Sequence, residues 1–231
     1  MTAAERREQR HEALLEAGLE LFGTVGYANT SVRAISAAAS LNSRYFYESF
    51  PDREALLRAV YERVIQELAT AAREATAGAD TIEEIARAGI KTTWAILTGD
   101  RRKARVIAIE VVGVSDRMER LRRDYRHAFA DILVSNSLSI APPGVRLRFD
   151  PVLNARAMTG AAMEVLVDWI NGDVDAGIDE IVEQLTQLFT AAAIAAVAPI
   201  EEQDAELPLS SPLPSRPPGA VDGRSAEPAA D

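Results

Sequence analysis

Apolar residues recur every three to four positions along most of the chain, a spacing that predicts amphipathic helices. The first predicted helix runs from Glu5 to Val25 and is followed directly by Gly26. Its apolar stripe consists of Leu14, Gly18, Leu21, Phe22 and Val25. Glycine favours the left-handed conformation that closes many helices, so Gly26 is predicted to end this one. Because no stretch alternates with the period of two typical of strands, the chain is predicted to be all-α.

Two short helices are predicted next. The first begins at Asn29 or Thr30, either of which can cap a helix, and it ends about ten residues later. The second opens at Asn42 and runs to about Phe50, where Pro51 favours a new helix start rather than continuation.

Further helices fill most of the remaining chain, and glycine, proline and aspartate mark the breaks between them. The predicted ranges are Asp52–Ala77, Thr81–Leu97, Arg101–Val112, Asp116–Ser139, Pro151–Ile170 and Asp175–Val197. Ala141–Gly144 is predicted to be a loop. From Pro199 onward the chain holds seven of its eleven prolines, and this tail is predicted to be disordered.

Charge and composition narrow the possible functions. The net charge is −10, but residues 1–60 hold seven arginines and eight acidic residues, so most of the excess acid lies elsewhere. The chain has no cysteine and only two histidines, which excludes thiolate metal sites and offers little acid–base chemistry. We therefore expect no enzyme activity, no cofactor and no metal. No apolar run is long enough for a membrane span, so a cytoplasmic protein is expected.

The segment from Thr30 to Phe50 has the layout of a helix-turn-helix, in which the second helix presents its first residues to the major groove of DNA. Arg44 can bond guanine, Asn42 can pair with adenine, and Tyr45 can meet a thymine methyl or a phosphate. Spacing alone leaves an ordinary helical hairpin equally open.

The segment from His11 to Val60 resembles the N-terminal domain of the tetracycline-repressor (TetR) family. The resemblance is carried by Ala13–Phe22 (ALLEAGLELF), Gly26-Tyr27, Thr30–Ile35, Phe46-Tyr47, Phe50-Pro51 and Arg53–Leu57. It implies an N-terminal three-helix DNA-binding domain (1–51), a helical effector-binding and dimerisation domain (52–198) and the tail (199–231).

The resemblance also implies roles for individual residues. Thr30 and Ser31 would bind phosphate, as would Tyr47 and Arg53, while Arg33 would reach a phosphate or a base. Most base contacts would come from the four residues Asn42, Ser43, Arg44 and Tyr45. Two departures stand out: Ser40 replaces the glycine usual in the turn, which predicts a turn that is either strained or differently shaped, and Arg44-Tyr45 is bulkier than usual.

The last two helices are expected to form a dimer interface, although intramolecular packing explains the same apolar stripes. The predicted interface residues are Met158, Ala162, Val165, Trp169, Ile181, Leu185, Leu188 and Phe189. The central helices would enclose an effector pocket, for which Trp94, Glu110 and His127 are candidates. Each of the three has an alternative structural role in the core, in an ion pair or at the surface.

The sequence thus predicts a ligand-responsive repressor that binds a palindromic double-stranded DNA operator as a homodimer. The effector would be a small molecule of unidentified class. The alternative is a helical small-molecule-binding or adaptor protein that does not bind DNA, which the net charge and Ser40 would permit.

Overall fold

The computed structural model describes residues 2–139 and 149–197, which lie in one compact unit extending from Met1 to Pro199. Every regular element in this part of the chain is helical, which confirms the all-α prediction. The elements are α1 (Ala3–Thr24), α2 (Val32–Ala38), α3 (Ser43–Ser49), α4 (Arg53–Thr76), α5 (Ile82–Gly99), α6 (Arg101–Arg105), a π-helix (Val106–Glu110), α7 (Asp116–Ser139), α8 (Pro151–Asn171) and α9 (Ile178–Val197). The predicted loop 141–144 and the predicted disordered tail lie outside the described residues.

Side-chain caps set most of the helix starts as predicted. The Asn42 carboxamide oxygen accepts the Arg44 N–H at 2.9 Å, and the Asp52 carboxylate accepts the Ala55 N–H at 2.7 Å. Thr81 and Glu84 cap α5 reciprocally.

One predicted cap is wrong by one or two residues. Helix α2 is capped by Ser31, not by Asn29 or Thr30, because the Thr30 hydroxyl points inward and donates to the Gly26 carbonyl at 2.7 Å. Helix α7 begins at Asp116 as predicted, and the Ser115 hydroxyl oxygen before it accepts the Met118 N–H at 3.1 Å.

Helix α1 packs closely on α4 and α6 because glycine removes side chains at both crossings. A Cβ atom at Gly18 would lie 3.0 Å from the Leu56 side chain, and one at Gly23 would lie 2.6 Å from the Arg102 Cα. The buried residues form one continuous core that runs from α1 through α4 to α9. Helix α1 is therefore packed directly against the later helices α4 and α6.

Ion pairs reinforce the same crossings. Arg102 on α6 pairs with Glu16, Glu20 and Asp100 at 2.7–3.1 Å, and Arg63 on α4 pairs with Glu12 and Glu16. Three acidic residues of α1, Glu12, Glu16 and Glu20, are thus paired with arginines from later helices. The neighbouring Lys103 pairs with Glu67 on α4 at 2.6 Å.

The segment predicted as one helix from Arg101 to Val112 has a different form. It begins as the α-helical α6, changes to a π-helix over Val106–Glu110 and turns at Gly113, which has a φ of 69°. The wider turn places Glu110 against the start of the helix-turn-helix. No helix within residues 2–139 and 149–197 is both long and apolar enough to cross a membrane.

Candidate nucleic-acid interface

Helix α3 has aromatic side chains on two sides, one buried in the core and the other exposed to solvent. Phe46 is fully buried and packs near Phe50, whose ring centroid lies 5.9 Å away. Tyr47 is 60% exposed, and the Arg44 side chain is 84% exposed. Tyr45 is also exposed. Helix α3 therefore presents two tyrosines and an arginine to solvent.

The turn between α2 and α3 fixes this orientation. The Leu41 N–H donates to the Ser36 carbonyl at 2.8 Å, and the Ser40 N–H donates to the Ala37 carbonyl at 3.0 Å. This pair of bonds is the Schellman arrangement, which requires a left-handed residue after the helix. Ser40 occupies that position with a φ of 55°, the only non-glycine residue with positive φ in the described chain.

The remaining residues predicted to contact bases or phosphates lie around the same two helices. Ser31 and Arg33 are exposed at the start of α2, Asn42 is exposed where it caps α3, and Ser43 is half-buried. Arg44 forms an ion pair with Glu48 at 3.1 Å. That carboxylate competes with any nucleic-acid acceptor for the guanidinium.

A residue that the sequence did not indicate joins this surface. The Arg10 guanidinium, on α1, stacks over the Tyr45 ring at 4.6 Å from its centroid. The contact adds a cation beside the exposed tip of α3. Neither periodicity nor spacing relates residues 35 positions apart, so only the packing of α1 on α3 reveals it.

Two residues predicted to bind phosphate have other roles. Thr30 is buried and its hydroxyl is bonded to Gly26, so that hydroxyl does not face outward. The Arg53 Nη1 donates to the carbonyl oxygens of Tyr27, at 3.0 Å, and Thr30. The guanidinium also lies 4.7 Å from the Tyr27 ring centroid. Burial raises the pKa of the Tyr27 hydroxyl, against the opposing effect of the Arg53 charge. Arg53 thus holds the loop between α1 and α2.

The candidate effector residues do not share a pocket. Trp94 is buried in the core, His127 is half-buried on α7, and Glu110 bonds the α1–α2 loop and Arg105. A cavity of about 70 Å³ lies elsewhere, between α5, α7, α8 and α9. Its wall is apolar except for Asn154, and it includes the predicted interface residues Met158 and Phe189.

The predicted interface residues divide into buried and exposed groups. Ile181 and Leu185 are 4% and 5% exposed and belong to the core of the chain, so their intramolecular interpretation holds. Ala162, Val165 and Trp169 are half-buried against that core. Leu188 is exposed. Among the described residues, no group of three or more histidine, aspartate and glutamate side chains could hold a metal ion.

Both the sequence and the fold of the chain are similar to those of known proteins. Residues 14–60 match the sequence model of the family described as bacterial regulatory proteins, tetR family. This match confirms the resemblance of the N-terminal segment to the tetracycline-repressor family. No curated protein matches the sequence.

Solved structures share the fold at low sequence identity. A putative TetR-family transcriptional regulator from Syntrophomonas wolfei is 19% identical with a TM-score of 0.68, covering 81% of this chain and 96% of that one. The transcriptional regulator FadR from Bacillus subtilis, solved with stearoyl-CoA, is 16% identical with a TM-score of 0.68, covering 78% and 98%. The fatty acid degradation regulator FadR from Bacillus halodurans is 18% identical with a TM-score of 0.67, covering 78% and 94%. The chain therefore has the fold of these regulators over nearly their full lengths.

Proposed function

Because residues 14–60 carry the signature of the tetR family of bacterial regulatory proteins, we propose that the chain is a DNA-binding transcriptional repressor acting as a homodimer in the cytoplasm. The observation that carries the proposal is the exposed face of α3, where Arg44, Tyr45 and Tyr47 lie outside the core. A short helix that buries one side and exposes these side chains at its start suits the major groove.

The roles of the interface residues follow from their positions. Arg44 exchanges Glu48 for a base edge, and Asn42 and Ser43 flank it at the start of α3. Tyr47 and Ser31 donate to phosphates, while Arg33 and Arg10 add positive charge at the margins. Thr30 and Arg53 contribute by fixing the loop between α1 and α2. No catalytic step is part of this function.

The small interface of one such module calls for two copies. The outer faces of α8 and α9 suit pairing, since they place small and aliphatic side chains at helical spacing. The exposed small and aliphatic residues include Leu153, Ala157 and Gly160 on α8, and Leu188, Ala191, Ile194 and Ala195 on α9. We propose that residues 1–51 bind DNA and 52–198 provide the dimer contacts through a four-helix interface, which would match a palindromic operator.

The effector site that we propose is the apolar cavity between α5, α7, α8 and α9. Its wall holds aliphatic and aromatic side chains and no charged group, so it suits an uncharged apolar portion of a ligand. One structural neighbour, FadR from Bacillus subtilis, was solved with stearoyl-CoA, which has such a portion. Ligand binding there would tilt α4, change the separation of the two α3 helices and lower DNA affinity.

Selection of duplexes from a random DNA library by the purified chain tests the proposed function. The expected result is enrichment of a two-fold symmetric sequence that the protein retards in a gel at nanomolar to sub-micromolar concentration. Absence of any enriched or retarded duplex would favour the alternative, a small-molecule-binding or adaptor protein.

Ligand response is tested separately by thermal unfolding with fatty acids and other apolar compounds. A compound that stabilises the wild type but not Ala193→Leu, which narrows the cavity, supports the proposed effector site. Equal stabilisation of both proteins would place the ligand elsewhere.

A further inference from the structure

Glu110 connects the helices of the C-terminal region to the helix-turn-helix. Its Oε2 accepts the Tyr27 N–H at 2.7 Å, across 83 positions of sequence, and its Oε1 accepts the Arg105 Nε–H at 2.7 Å. The Glu110 side chain is only 10% exposed. A hydrogen bond to a charged acceptor in such a site is stronger than one at the surface.

The loop that Glu110 contacts is held at the N–H, the carbonyl oxygen and the ring of Tyr27. The carbonyl oxygen accepts from Arg53 and from the Thr30 N–H, and the ring packs against Phe22 at 5.6 Å between centroids. Only the hydrogen bond from the Tyr27 N–H to Glu110, among these contacts, involves a residue that follows α4 in the chain. Through this bond a distant segment fixes the loop that leads into α2.

Local backbone geometry brings the carboxylate to that point. Glu110 is the last residue of the π-helix, and the wider turn shifts its direction relative to a regular α-helix. At the receiving end Gly26 has a φ of 94°, and a Cβ there would lie 3.2 Å from the Glu110 Oε2. The π-helix and the α1–α2 loop therefore both have backbone conformations that accommodate the Glu110 carboxylate.

We infer that Glu110 is a positioning residue for DNA binding, an inference that rests on the proposed function. Its carboxylate fixes the loop between α1 and α2, and with it the orientation of α2 and α3 relative to the helices that form the dimer. In a dimer this orientation sets the separation of the two α3 helices, so Glu110 governs which half-site spacing the protein accepts.

The test compares wild type, Glu110→Ala and Glu110→Gln on two versions of the selected duplex. One has the selected spacing between half-sites, and the other has one inserted base pair. Glu110→Ala is expected to bind the selected duplex about tenfold more weakly, as loss of one charge-assisted hydrogen bond implies. It is also expected to discriminate less between the two spacings. Glu110→Gln keeps an oxygen for the Tyr27 N–H and restores most of both properties.

Glu67→Ala is the matched control, because Glu67 also pairs with α6, through Lys103 at 2.6 Å, but does not contact the loop. It should bind like wild type. Hydrogen exchange gives a second measurement that needs no DNA: the Tyr27 amide should exchange faster in Glu110→Ala and stay protected in Glu110→Gln.

The outcomes separate the two proposals. Failure of wild type to bind any duplex refutes the proposed function, and unchanged Tyr27 exchange then refutes the inference as well. If wild type binds, an equal loss of affinity for both duplexes in Glu110→Ala shows general destabilisation and overturns the inference. Unchanged affinity and spacing preference in that variant overturn it too.

Discussion

At the scale of single residues, Ser40 carries a conformational cost in the turn that orients α3. Its φ of 55° lies in the left-handed region, which a residue with a Cβ occupies at a cost of about 1 kcal/mol or more. Ser40→Gly is therefore expected to raise the free energy of unfolding by about 0.5–1 kcal/mol, measured by urea denaturation. Ala39→Gly, at a right-handed position, is the control and should not stabilise. A less stable Ser40→Gly would contradict this account of the turn.

The sequence predicted either strain or a different turn shape at Ser40, because a backbone requirement can be inferred from a turn pattern, and the φ of 55° shows the strained form. It failed for Thr30 and Arg53, whose hydroxyl and guanidinium found partners inside the chain, at the carbonyl oxygens of Gly26, Tyr27 and Thr30. Donor groups can serve either a ligand or the backbone, and only packing decides between these uses.

At the scale of elements, the crossing of α1 and α6 depends on Gly23. A Cβ there would lie 2.4 Å from the Arg102 Cβ and 2.6 Å from its Cα, so the two helices would have to separate. Gly23→Ala is expected to lower the free energy of unfolding by about 1–3 kcal/mol through overpacking. Gly89→Ala is the control in another helix, where a Cβ would make only an ordinary contact of 3.7 Å. Thermal unfolding of both proteins checks the prediction, and a stable Gly23→Ala would contradict the tight crossing.

Helix ends were predictable wherever a polar cap precedes an apolar stripe, as at Asn42, Asp52 and Thr81. The π-helix was not, because the sequence of Val106–Glu110 has the apolar pattern of an ordinary buried helix. The π-helix ends at Glu110, whose carboxylate accepts the Tyr27 N–H, a contact across 83 positions that no local pattern indicates.

At the scale of the whole molecule, the dimer proposal makes Gly160 a critical position. A Cβ there would meet no atom within 4 Å in the single chain, so Gly160→Arg is expected to fold normally. In a dimer that pairs α8 and α9 the arginine would be buried at the contact. Analytical ultracentrifugation should therefore show a dimer for wild type and monomer for the variant.

Ala128→Arg, at an exposed position on α7, is the control and should remain dimeric. A dimeric Gly160→Arg would place the interface on another face. The sequence alone could not distinguish the exposed apolar residues of α8 and α9 from the core residues. On α9, for example, the buried Ile181 and Leu185 and the exposed Leu188 are all aliphatic.

The cavity also shows what the sequence lacked at this scale. Four helices contribute to its wall, and apart from Asn154 its residues have only their apolar character in common. Trp94, Glu110 and His127 stood out because they are unusual in apolar surroundings, but packing places them in the core, at the α1–α2 loop and on α7. The exposed position of Arg44, Tyr45 and Tyr47 on α3 was easier to predict, because the sequence order of the helix-turn-helix segment is itself distinctive.

The most direct test of the central claim, that the exposed face of α3 binds duplex DNA, is the affinity of Arg44→Ala for the selected duplex. Fluorescence anisotropy should show binding weaker than wild type by about 1–3 kcal/mol, the range for a lost arginine contact to a base. Arg123→Ala, which removes an exposed arginine from α7, outside both the α3 face and the proposed dimer face, should bind like wild type. Equal affinity of wild type and Arg44→Ala would contradict the account.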